Sequence, residues 1–140
     1  MTLEANKELV RRYIEEVLNG GDLGLIDDLF APPLNEQVRQ VATFYRSAFP
    51  DMHETIHDLV AEGDTVMARW TFRGTQLGQW HDIPPTGRAI EMLGFSIYWV
   101  RDGRIVDDQA LLDLDGALEQ LGATVVLPGV PSSPAADRDE

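Results

Sequence analysis

The sequence predicts an α+β domain in which N-terminal helices pack on a curved antiparallel sheet and enclose a pocket. Three observations carry this. Apolar residues recur at three- and four-residue steps through the N-terminal part of the chain, the spacing of one helical face. From Thr55 onward the runs turn β-branched and aromatic, and Gly and Asp punctuate them. Helices and strands are therefore segregated along the chain, which places the helices against one face of the sheet.

The first helix is read from Leu9, Val10, Tyr13, Ile14, Val17 and Leu18, and Asn19-Gly20-Gly21 stops it. A short second helix follows, with Asp22 at the N-cap, Leu25, Ile26, Leu29 and Phe30 inward, and Pro32-Pro33 at its end. Val38, Val41, Ala42, Tyr45 and Phe49 predict a third helix over 35–49, closed by Pro50-Asp51. Strands are expected over 55–61, 65–75, 88–101 and 104–112. Asp102-Gly103 joins the last two as a tight hairpin, where glycine accepts positive φ without strain. A final helix covers Leu114 to Leu121.

At 140 residues, 44% of them hydrophobic, the chain supports one domain, taken as residues 1–127. The Pro- and Ser-rich segment 128–140 is expected to be a flexible tail. No apolar run nears the ~20 residues that span a bilayer, and the polar start lacks the pattern of a secretory signal, so the expected setting is cytoplasmic, without membrane association. The chain has no cysteine, which excludes thiol nucleophiles, disulfides and zinc–thiolate sites. A formal charge of −13 with no basic cluster argues against a nucleic acid partner. No phosphate loop, nucleophile elbow or dinucleotide fingerprint is present, so no cofactor is expected. His53 and His57, four apart with Asp58 beside them, lack a third convergent ligand, so no metal is expected either.

Several stretches resemble the SnoaL-like polyketide cyclases of the nuclear transport factor 2-like superfamily. They are Leu9-Val10-Arg11-Arg12-Tyr13, Asn19-Gly20-Gly21-Asp22, Phe49-Pro50-Asp51, Glu62-Gly63-Asp64, Ala68-Arg69-Trp70-Thr71-Phe72, Ile83-Pro84-Pro85-Thr86-Gly87-Arg88 and Asp102-Gly103-Arg104-Ile105-Val106. The resemblance implies a cone-shaped pocket, and a homodimer or larger homo-oligomer acting on a small apolar organic substrate. It also puts Asp113 at the acid/base position and the pocket on the strand face of Ile105, Asp107, Gln109, Leu111 and Asp113. Two departures stand out: the segment between Phe30 and Val38 is short, and Gln109 replaces a tryptophan of the relatives.

The candidate catalytic residues are Asp113, His81 and Asp107, and the candidate substrate-binding residues are Gln109, Leu111, Arg69, Trp80 and Tyr45. A carboxyl in apolar surroundings, with its pKa lifted towards neutrality, can move a proton between carbon and oxygen. Asp113 has a second reading as the N-cap of the helix at Leu114. Asp107 either supports Asp113 or sits in water, and His81 is either an acid/base at the pocket mouth or a surface residue. Arg69 shares a strand face with Thr71, opposite that of Trp70 and Phe72; parity leaves open which face looks inward. The function expected is a cofactor-independent cyclase or isomerase. Its alternatives are an epoxide-opening cyclase or hydrolase and a non-catalytic small-molecule binding protein.

Overall fold

A computed structural model describes residues 2–123. The proposed tail from Pro128, and the end of the domain at residue 127, lie outside the described residues. Helix α1 (Leu3–Arg12) starts at Thr2, whose hydroxyl accepts the Ala5 amide, and carries Glu4 in its first turn and Arg11 and Arg12 in its last. This charge order suits the helix dipole. The helix runs on through a wider π-type segment, Tyr13–Asn19, that buries Tyr13, Ile14, Val17 and Leu18. Asp22 makes no capping bond; a 3-10 turn, Leu23–Leu25, leads instead into α2 (Ile26–Leu29). Helix α3 (Leu34–Ala48) buries Leu34, Val38, Ala42 and Ala48.

Four strands follow, β1 (His53–Glu62), β2 (Thr65–Thr75), β3 (Ala89–Arg101) and β4 (Arg104–Leu112), and α4 (Leu114–Gln120) ends the described chain. They form one antiparallel sheet in the order β1-β2-β3-β4, with each strand beside its sequence neighbour. Val66, Ala68, Trp70 and Phe72 of β2 and Ile90, Met92, Tyr98 and Val100 of β3 are buried on the inner face beneath the helices. The period-2 alternation along β3 is unbroken, every second residue being buried from Ile90 to Val100. No helix among the described residues is long and apolar enough to cross a membrane.

Both outer strands carry a β-bulge. In β1, Ile56 pairs with Trp70 and Asp58 with Arg69, which leaves His57 as the extra residue. In β4, Asp107 pairs with Trp99 and Ile105 with Val100, which leaves Val106 as the extra residue. A bulge bends its strand and reverses which residues face inward beyond it. No strand is inserted between Phe30 and α3. Phe30 makes a single parallel bridge to Ile105, and the Ala31 amide donates to the Ile105 carbonyl at 2.9 Å.

The long β2–β3 connection is ordered by one buried side chain. The Gln76 amide oxygen accepts from the Thr86 amide (3.0 Å) and hydroxyl (2.7 Å), and its nitrogen donates to the Ile83 carbonyl (3.0 Å). The Ile83–Arg88 segment is therefore held as a fixed loop, outside the cavity lining described below.

Candidate active site

A cavity of about 130 Å³ lies between the helices and the inner face of the sheet. Tyr13, Leu18, Val41 and Tyr45 roof it, and Trp70, Phe72, Met92 and Ser96 floor it from the two central strands. Glu54 reaches it from β1 and Asp108 from β4, the two outer strands, while Tyr98 stands beside Asp108 in the strand register. Val41 is 50% exposed and marks the mouth on the α3 side, where the short Phe30–Val38 segment adds no further strand.

Glu54 is fixed through its backbone. The Asn19 side chain accepts the Glu54 amide at 2.7 Å and donates to the Glu54 carbonyl at 2.9 Å. The end of the π-type segment thereby clamps the start of β1 and aims the carboxyl inward. Only 8% of Glu54 is exposed, and burial raises its pKa from 4.5 to about 8. Desolvation penalises the charged form, so Glu54 is mostly a neutral acid at pH 7.

Asp108 is half-buried, and its carboxyl is also raised, first by burial and then by the neighbouring charge of Asp107. The Tyr13 and Tyr98 hydroxyls are raised by burial first, and both Glu54 and Asp108 push them further in the same direction. These four groups thus share one electrostatic environment, with the phenols held as neutral donors. The Tyr13 and Tyr98 rings meet edge to face at 6.3 Å. Tyr45 is raised by burial as well. Among the described residues no Lys, Arg or His lines the cavity, so none of them gives either carboxyl a fixed counter-cation there.

Of the candidate catalytic and substrate-binding residues read from the sequence, Tyr45 alone lines this cavity. The alternation expected along β4 is overturned by the bulge at Val106: Ile105 is buried, but Asp108, Ala110 and Leu112 then turn inward. Asp107, Gln109 and Leu111 occupy the outer face, and Leu111 is 80% exposed. Asp113 is exposed and accepts the Gly116 amide at 3.1 Å, the N-cap geometry of α4. Arg69 also faces outward and pairs with Asp58 at 2.6 Å. Trp80 is fully buried behind the roof, packed on Phe49 at 5.3 Å and Tyr45 at 6.3 Å. His81 is exposed at φ 53°, against Trp80 and Phe44. His57 bonds Thr71 Oγ1 at 2.6 Å, and no three His, Asp or Glu residues converge to hold a metal among the described residues.

Glu54 and Asp108 were missed by sequence reasoning for different reasons. Glu54 shares strand parity with Met52 and Ile56, and an acid in an apolar row is a visible signal. Asp108 had no such mark, because neither glycine nor proline announces the bulge that turns it inward.

The SnoaL-like polyketide cyclase family matches residues 8–121. Among solved structures, the chain is similar to TsrD from Streptomyces laurentii, at 29% identity over 89% of this chain and 99% of that one, with a TM-score of 0.82. It is similar to IdmH from Streptomyces antibioticus, provisionally assigned as a polyketide cyclase, at 32% identity over 84% of this chain and 99% of that one, with a TM-score of 0.73. AclR from Streptomyces galilaeus, provisionally assigned as a hydroxylase, shares the fold at 21% identity over 86% of this chain and 98% of that one, with a TM-score of 0.77. No functionally curated protein matches. Helices followed by a curved four-stranded sheet, the apolar cavity between them and the family match over most of its length agree: the chain belongs to the SnoaL-like polyketide cyclase family.

Proposed function

We propose that this protein is a cofactor-independent cyclase or isomerase that moves protons on a small, uncharged, polyketide-like carbonyl compound. The observation that supports this reading is a pair of carboxyl groups, Glu54 and Asp108, with unlike burial in one apolar cavity. Environments that separate two such groups assign the acid and the base. Asp108, the less buried, is the base that takes a proton from a carbon next to a carbonyl. Glu54, kept neutral, donates to that carbonyl oxygen, with Tyr13 or Tyr98 as a second donor. The enolate carbon then attacks a second carbonyl in the same molecule, and the proton passes from Asp108 to the new alkoxide. Isomerisation shares the first step alone: the enolate makes no new C–C bond, and Asp108 returns the proton to a different carbon.

Among the described residues the lining carries no cationic side chain, which supports an uncharged substrate, since a free carboxylate would face two acids with no described group to neutralise it. IdmH, similar over most of its length, supports the cyclase assignment. A second copy of the chain is the proposed partner, supported by Met67, Leu93, Phe95 and Leu111 exposed together on the outer face of the sheet.

The test is hydrogen–deuterium exchange at the α-carbon of a small β-diketone in D₂O, followed by NMR. The wild-type chain should accelerate exchange, and Asp108→Asn should lose on the order of 10²–10⁴ of that acceleration. Exchange that persists in Asp108→Asn at the wild-type rate refutes the assignment. Opening of a small epoxide without ketone exchange favours the epoxide-opening alternative, and binding without either reaction favours a carrier.

A further inference from the structure

We infer that Trp70 is a fixed floor that sets the depth of the cavity and restricts its enclosed part to a ligand of one ring. The inference rests on the cavity being the substrate site, and it concerns size rather than chemistry.

Three observations carry it. Trp70 lines the cavity from β2, and its indole nitrogen donates to Ser96 Oγ at 2.9 Å, a buried bond to the neighbouring strand. The six-membered ring of the indole lies directly on Gly94, the residue paired with Trp70 in the β2–β3 register. A Cβ at position 94 would overlap that ring, so the absent side chain is what lets the indole lie flat. Pinned at the nitrogen and seated on backbone at the far edge, this side chain has no second position that keeps both contacts.

The volume above the floor gives the size class. An engineered apolar cavity of about 150 Å³ holds one benzene, and the cavity here is about 130 Å³. A single ring therefore fits between Trp70 and the roof. A fused second ring has to leave through the mouth at Val41, which is half exposed, and buries little of its surface there. Trp70→Phe deletes the part of the ring that lies on Gly94 and deepens the cavity on that side.

The experiment is an NMR titration of the full chain with acetophenone and 2-acetylnaphthalene, a one-ring and a two-ring ketone of the same headgroup. In the wild-type chain the second ring should bring no gain in affinity. In Trp70→Phe, checked for folding by circular dichroism, the two-ring ketone should gain about tenfold over the one-ring ketone. A wild-type chain that binds the two-ring ketone about tenfold tighter overturns the inference, with or without a folded variant. An unchanged ratio in a folded Trp70→Phe overturns it too. If neither ketone binds the wild-type chain, the cavity is not the substrate site, and the functional reading falls together with the inference.

Discussion

Replacing Glu54 with Gln keeps the shape of the side chain and removes its titration, so the variant isolates what burying an acid does to stability. The carboxyl titrates at about 8 in the folded chain, against 4.5 for an ordinary glutamate. Between those values the folded state holds a proton that the unfolded state has released, and stability therefore falls as pH rises. Below pH 4.5 both states are protonated and the contribution is complete; above pH 8 both are ionised and it is gone. Each pH unit inside the window is worth ~1.4 kcal/mol, so the full span amounts to ~5 kcal/mol, an upper figure because water entry relaxes a buried charge. The assay is urea unfolding of wild type and Glu54→Gln from pH 5 to 9. Surface charge repulsion on so acidic a chain acts on both proteins and cancels in the difference. The wild type should lose several kcal/mol relative to Glu54→Gln between pH 5 and 8, with no further divergence above that. Parallel curves across the whole range would refute the burial argument and, with it, the neutral acid on which the proposed chemistry depends.

Other expectations follow from the same geometry. Asp113→Ala should cost about 1 kcal/mol in urea unfolding through loss of the α4 cap, while α-proton exchange stays at the wild-type rate and Asp113→Asn restores the stability. Asn19→Ala leaves the Glu54 amide and carbonyl without their partner; it should destabilise by about 1–3 kcal/mol and also slow exchange, which the Asp113 variants do not. Phe95→Glu places a charge in the apolar outer face and should turn a dimer into a monomer by light scattering, and a wild-type chain already monomeric at tens of micromolar would dismiss that interface.

The elements were legible in the sequence because each has a local cause. Val10, Ile14 and Val17 mark one helical face, and the buried alternation from Ile90 to Val100 needs no information beyond its own run. Asp102-Gly103 marked the hairpin, and both residues take positive φ in the structure. The candidate site was much less legible, since it depends on pairing between strands. Arg69 and Trp70 are adjacent on β2, and only the sheet decides that the indole enters the cavity while the guanidinium meets Asp58 outside. His81 read as either a mouth acid/base or a surface residue and Trp80 as a binding residue; the Gln76 side chain holds the loop that follows them apart from the cavity, with His81 on the surface and Trp80 buried behind the roof.

The two bulges show why parity alone misplaced the acids. On β1, Glu54 and Ile56 face inward before His57, and the extra residue then sends Leu59 and Ala61 inward, leaving Asp58 on the outer face with Arg69. On β4, Ile105 faces inward before Val106, and the extra residue then brings Asp108 into the cavity and leaves Asp107 outside. Without the first bulge Asp58 would enter the core, and without the second the inward carboxyl would be Asp107. Each bulge also bends an outer strand, which curves the sheet towards the helices and brings its edges to opposite sides of one hollow. The same irregularity that shapes the cavity therefore selects which carboxyl enters it, so curvature and acid placement are one structural event on each outer strand. Deleting Val106 isolates the bend: with the extra residue gone, Ile105 stays opposite Val100, Asp107 opposite Trp99 and Asp108 opposite Tyr98, so a folded variant should keep Asp108 inward on a flatter β4 and lose exchange through lost curvature, whereas exchange at the wild-type rate would show that the bend is dispensable.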